Sequence, residues 1–294
     1  MSRGATVAGF LAVILIWGST WLVIRDQIAA VPAEWTVTYR FVLGAVGMAG
    51  LAAARRESLW IGAEGLRVAA LVGVMQFSAN YLFVYHAEGH IASGLVAVIY
   101  ALLMVPNALL SRVVLGARLR VRFLAGSGVA IVGIAMLMAK EYQGGAGVKA
   151  LIGVALALGG MVSASVANVV QATKAGRRQA VVPLLMWAMV VGALVDAAVA
   201  YAVAGAPVLQ APMRFWAGVA YLALAGSVLT FPIYFALIRS MGAGRAAFSQ
   251  VAVPVVAMGL STVFEGYRWT GLAVAGCGLA LAGLAIALTG KREG

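Results

Sequence analysis

Charge is scarce in this chain of 294 residues: Asp, Glu, Lys and Arg together make up 10%, with only nine acids, two histidines and one cysteine. Soluble domains carry about 25% charge, so a water-facing surface of ordinary size cannot be built from this composition. The lone Cys277 excludes an intrachain disulfide, and its apolar run makes it a packing residue. Nine acids and two histidines, nearly all between apolar runs, leave too few groups for the clustered carboxylates, histidines or Ser/Lys pair of an intramembrane enzyme. No Walker sequence is present, so ATP is not the direct driver of any transport. What fills the chain instead is 64% apolar residues and 36 glycines. A soluble protein of this size has too little interior to hide that much apolar surface. At about 20 residues per span, there is material for nine or ten transmembrane helices.

Apolar runs bounded by Gly, Pro and charge predict ten helices, at about 5–24, 34–54, 66–85, 91–111, 122–139, 149–172, 181–204, 214–238, 244–264 and 269–289. The first run is longer than the 7–15 residues of a signal-peptide core and is read as a transmembrane helix. A continuous helix through Gly89 would reduce the count to nine. Lys and Arg argue against that, because positive loops stay in the cytoplasm. With ten spans, 15 basic residues fall on the side of both termini, among them Arg55, Arg56, Arg118, Arg120, Arg177 and Arg178. Five fall opposite: Arg25, Lys140, Lys149, Arg214 and Arg268. Both termini are therefore expected in the cytoplasm. The net charge of +12 follows from these loops, and no nucleic-acid-binding pattern accompanies it.

The chain also repeats itself. Pro106 precedes Ala117 by 11 residues, and Pro254 precedes Glu265 by the same interval; each segment ends a helix and is followed by a short Gly-rich one. Five helices separate the copies, so the second is inverted in the membrane, as in secondary transporters whose substrate site lies at the repeat interface. The expected architecture is all-α integral membrane: ten transmembrane helices as two inverted five-helix repeats, residues 1–140 and 141–294.

Three features carry a resemblance: Trp17-Gly18-Ser19-Thr20 in the first helix, Tyr39-Arg40-Phe41 in the second, and Pro254 to Glu265 followed by the Gly-rich tenth helix. In these the chain resembles the drug/metabolite transporter superfamily, specifically its EamA-type carriers, and the aromatic residues of helices three and four look like those of the YddG amino-acid exporters. The resemblance implies a carrier of small metabolites, often an exporter. One departure is visible, since the family's usual glutamate after the fourth helix is Ala117 here and only Glu265 matches it.

Polar side chains inside a membrane are costly unless partnered or wetted, so they mark candidate sites. Arg40 lies about two turns inside the start of helix two, and Asp196 about two turns inside the end of helix seven, which puts them at similar depth. They read either as an interhelical ion pair or as a site for a substrate carboxylate or a coupling proton. Phe77, Tyr81 and Tyr85 follow one another at four-residue spacing, with Gln76 and Asn80 beside them. Tyr85 reads as an interfacial anchor, whereas Asn80 and Tyr81 line a cavity or pack helices. Tyr100 and Ser163, and Gln250 one turn before Pro254, are read in the same two ways. Trp17 lies too deep for a headgroup anchor and offers a flat apolar wall.

His86-Ala87-Glu88-Gly89-His90 lacks the metalloprotease order and a third ligand, and is read as a solvated outer loop. Gly126-x3-Ala130 and Gly276-x3-Ala280 permit close helix approach, as scaffold or as a dimer surface.

The expectation is a carrier without metal or cofactor in the bacterial inner membrane, monomer or weak dimer, that exports small zwitterions, foremost amino acids including aromatic ones. Its substrate-binding set is Trp17, Asn80, Tyr81, Tyr100, Ser163 and Gln250. Another small metabolite or drug is the alternative, and a membrane protein that is not a carrier a more distant one.

Overall fold

Apolar runs this long leave the backbone no water to bond, so each satisfies its own N–H and C=O groups as a helix. The computed structural model describes residues 3–117, 119, 121–141, 147–241 and 249–288. Among them are ten apolar helices: α1 Arg3–Gln27, α2 Ala33–Ala54, α3 Gly62–Glu88, α4 Ser93–Leu115, α5 Val121–Glu141, α6 Gly147–Ala172, α7 Val181–Ala204, α8 at 213–241, α9 Ser249–Phe264 and α10 Gly271–Leu288. The first eight contain stretches long and apolar enough to cross a membrane; α9 and α10 are shorter. The protein is a multi-pass membrane protein. The chain breaks between Glu88 and Ser93, where the N–H groups of His90 and Ile91 both bond the Ala87 carbonyl, and this gives ten helices instead of nine.

Local sequence explains where these helices stop and distort. Gly116, at φ 69°, ends α4 in the left-handed conformation that glycine adopts without strain, with Gly116 N bonded to Arg112 O and Ala117 N to Ser111 O. Pro106 lacks the N–H that would bond the Leu102 carbonyl, and the turn before it, Ala101–Leu103, tightens to a 3-10 helix. In α3 the stretch Gly73–Ala79 is a π-helix, and in α8 so is Tyr221–Leu229. Gly73 and Tyr221 stand 148 residues apart, as do Pro106 and Pro254, so the distortion recurs at the same step. In the second π segment Ser227 Oγ donates to Leu222 O at 3.1 Å, and just past its end Thr230 Oγ1 donates to Ala225 O, both five residues back. Wider turns bring those carbonyls within reach of the hydroxyls.

The helices fall into two compact units, each assembled from both halves of the sequence. One comprises residues 1–22, 87–158 and 233–294; its scaffold is α5 against α10. A Cβ added at Gly126 would lie 2.5 Å from both Ala287 N and Gly283 O, and one at Gly276 2.7 Å from Gly133 O. Backbone therefore meets backbone there, and the small-residue spacing of both helices is used inside this unit as scaffold.

The other unit comprises residues 23–86 and 159–232 and is built on α2 against α7. Its π segments pack crosswise: that of α3 lies on α7, where a Cβ on Gly73 would meet Ala188 O at 2.5 Å, and that of α8 lies on α2, where a Cβ on Gly47 would meet Val228 Cγ2 at 2.7 Å. One end of this unit is sealed by Val31, Trp35, Ala200, Phe215 and Val219, with Tyr39 and Trp216 packed against them.

Candidate functional site

Within the unit built on α2 and α7, the largest of the fully buried side chains belongs to a cation. Arg40 is 2% exposed. Its guanidinium carbon lies 4.4 Å from the centre of the Tyr81 ring and 5.3 Å from that of Phe41, and its Nη atoms donate to the hydroxyls of Tyr81 and Tyr85 at 3.5 Å. Those bonds are long, so the ring faces hold the cation more than the hydroxyls do, and a desolvated cation–π contact is worth about 2 kcal/mol. From Tyr85 the chain of donors continues: its hydroxyl donates to Gln27 Oε1 at 3.4 Å, and Gln27 Nε2 donates to Phe215 O at 3.3 Å. Four helices of this unit, α1, α2, α3 and α8, are thus tied by one buried polar chain.

Asp196 is fully buried on α7. Close approach of α7 to α3 puts it there: a Cβ on Gly192, one turn earlier, would meet Phe77 Cβ at 2.6 Å. Ser78, in the π segment of α3, faces the carboxylate, yet neither oxygen is in a hydrogen bond of good geometry. Arg40 and Asp196 are not bonded to each other in this structure: the guanidinium turns to Tyr81 and Tyr85, and the carboxylate to Ser78.

Two readings of helix three are corrected. Tyr85 is 1% exposed and bonded within the protein, so it is no interfacial anchor. The helix runs on through His86 to Glu88, and His86 Nε2 lies 3.0 Å from Glu34 Oε1 on α2 while Glu88 is fully buried. Of the segment expected as a solvated loop, residues 86–88 are the last turn of a packed helix, whereas Gly89 and His90 form an exposed turn. A charge-rich end reads as aqueous only while its neighbour, here the first turn of α2 with Glu34, is unknown.

The first unit contributes rings. Trp17 and Tyr234 stand 5.2 Å apart between centroids, and Trp21 and Tyr100 stand 5.3 Å apart, all four half-buried. Gly18 explains the small residue after Trp17, because a Cβ there would meet Val256 Cβ at 2.6 Å on α9, beside Pro254. Glu265 caps α4 from α9: its Oε2 accepts from Ser93 N at 3.2 Å and from Ser261 Oγ, where the helix's own cap residue, Ala92, has no side chain to offer.

Of the residues expected to bind substrate, Trp17 and Tyr100 belong to the first unit and Asn80, Tyr81 and Ser163 to the second. Asn80 Nδ2 donates to Gln76 O at 3.2 Å and Ser163 Oγ to Gly159 O at 3.0 Å, each one turn back along its own helix. The Gln250 side chain lies outside the described residues. Sequence reasoning missed Gln27, Glu34 and Ser78 as partners of the buried charges and rings. Gln27 stands just past an apolar run, where polar residues are ordinary, so nothing in the sequence marked it. Among the described residues no group of three or more His, Cys, Asp or Glu is placed to hold a metal ion.

Comparison with known proteins adds three findings. Residues 4–139 and again 151–289 match the model of the EamA-like transporter family. Protein PagO of Salmonella typhimurium (strain LT2) is 24% identical over 132 residues, which is 45% of this chain and 43% of PagO, so the match spans less than half of that relative. A protein of known crystal structure shares the fold with a TM-score of 0.68 at 19% identity, over 97% of either chain.

Proposed function

The chain belongs to the EamA-like transporter family, within the drug/metabolite transporter superfamily, and from that premise we propose that it exports amino acids, aromatic ones included, across the bacterial inner membrane by alternating access. It acts as a carrier and not as an enzyme, as a monomer or weak dimer, with both termini in the cytoplasm. The observation that carries the substrate class is the pair of half-buried ring contacts, Trp17 with Tyr234 and Trp21 with Tyr100. Ring faces inside a membrane unit suit a flat apolar side chain, which gains about 0.5–1.5 kcal/mol per aromatic contact beyond its burial. A zwitterion leaving water must also regain hydrogen bonds at both ends, and Asn80, Tyr81, Ser163 and Gln250 are assigned to that, with Trp17 and Tyr100 as walls.

The test is a set of single alanine variants in proteoliposomes, read by counterflow of several radiolabelled amino acids. Losing one hydrogen bond to a charged group costs about 1.5–3 kcal/mol, or about 10-fold to 150-fold in affinity. Gln250→Ala should therefore weaken all amino-acid substrates together, whereas Trp17→Ala should weaken bulky ones more than small ones. Wild-type kinetics at all six positions would refute the assignment.

A further inference from the structure

Asp196 is the one fully buried carboxylate facing α3 from α7, and its surroundings are those of an acid. Both oxygens are buried without a hydrogen bond of good geometry, and the polar group facing them is the Ser78 hydroxyl. An isolated carboxylate in such a place is far costlier than a neutral carboxylic acid. The helices packed against α7 carry ionisable groups of their own, among them Glu88, fully buried in the last turn of α3. On α2, Arg40 is stacked on Tyr81 and Glu34 meets His86; on α3, Tyr85 donates to Gln27. Arg55 and Glu57, just beyond α2, and Glu64 and Arg67 on α3 are on or near the exposed far ends.

Yet Arg40 and Asp196 share a level. Trp35 packs in one cluster with Ala200, and a Cβ on Gly44 would touch Met189 Sδ at 3.0 Å, so α2 and α7 run antiparallel with residues 40 and 196 between those two contacts. Their present partners, Tyr81 and Ser78, are three residues apart on α3. Resting on the reading of the chain as a carrier, we propose that Asp196 is its proton-binding site, and that losing the proton draws Arg40 from Tyr81 and Tyr85 into an ion pair with Asp196. In that step the O–H bond of the carboxylic acid breaks, its electron pair stays on the carboxylate, and the proton passes to water on the side to which the carrier is open.

Three features fit this exchange. Asp196 is fully buried with no hydrogen bond of good geometry to either oxygen, and a proton, bound covalently, is the ion that needs no ligand beyond the carboxylate itself. The π segment that carries Ser78 lies close against α7 at Gly73 and Gly192, where an added Cβ would meet Ala188 O at 2.5 Å and Phe77 Cβ at 2.6 Å, and this holds Ser78 beside the helix of Asp196. The residues one 148-residue step away, Met48 for Asp196 and Gly226 for Ser78, cannot ionise, so this pair has no ionisable counterpart at the other position of the repeat.

The experiment joins infrared spectroscopy of the purified protein with transport. At neutral pH the wild type should show the carbonyl stretch of a protonated carboxylic acid that Asp196→Asn removes. In proteoliposomes a pH difference of about one unit, in one direction or the other, should drive about tenfold accumulation of radiolabelled phenylalanine for one-proton coupling. Asp196→Asn should keep counterflow of phenylalanine and lose that accumulation. Asp196→Glu keeps the acid, so its band should move while coupling survives, which serves if the Asn variant fails to insert. Absence of the band in wild type, an identical band in either variant, or full accumulation by Asp196→Asn would overturn the proposal. If the wild type does not carry phenylalanine, the amino-acid reading falls, and the infrared band alone decides the proton site.

Discussion

Gly126 and Gly128 stand two residues apart on α5, and replacing each by alanine separates packing from propensity. Alanine is the better helix former by about 0.5–1 kcal/mol in either place. At Gly128 a new Cβ would meet nothing within 4 Å. At Gly126 it would lie 2.5 Å from Ala287 N and from Gly283 O, both backbone atoms of α10 that no rotamer can move. Ordinary contact needs about 3.5–4.0 Å, so the two helices must part by about 1 Å, which forfeits about a quarter to a half of the dispersion energy across the seam. Overpacking of this kind costs about 1–3 kcal/mol, and because the propensity gain is common to both variants, that is also the expected difference between them. Thermal unfolding of the purified proteins in one detergent reads it, at about 2–4 °C per kcal/mol for chains near this length. Gly128→Ala should match or exceed the wild type, with Gly126→Ala several degrees below Gly128→Ala. Equal midpoints for the two variants would refute the view that α5 and α10 meet through their backbones.

Tyr85→Phe should cost about 1–3 kcal/mol by leaving buried Gln27 Oε1 without its donor, measured by the same melting assay. Glu265→Ala should cost about 1 kcal/mol, because α4 then loses the cap that Ala92 cannot supply; a melt unchanged from wild type would show the contact to be idle. Asp26→Asn should shift the midpoint little, since the exposed ion pair of Asp26 with Arg214 is worth about 0–1 kcal/mol, and a large loss would contradict that. A C-terminal alkaline phosphatase fusion should be inactive in cells, as the 15-to-5 distribution of Lys and Arg requires.

The helices were legible because each is written in its own residues. The run at 181–204 was bounded by Ala180 and Gly205 and forms α7 with those limits. The small-residue seam was legible for the same reason, since spacing along one helix fixes which face is narrow. What could not be read depends on a second helix. Tyr85, His86 and Glu88 look like an aqueous end until Arg40, Gln27 and Glu34 close around Tyr85 and His86. The π segments have no composition of their own; Gly73 is there because Ala188 O lies where its Cβ would be. Two compact units that each draw on both halves are likewise invisible to a reading that follows the chain in order.

Export of amino acids is tested most directly by counterflow with the wild-type protein. Proteoliposomes loaded with unlabelled phenylalanine and diluted into a trace of the radiolabelled form should show a transient internal overshoot that saturates with external concentration and is suppressed by other amino acids. A label that only equilibrates, with no overshoot and no competition across the amino-acid panel, would contradict the account.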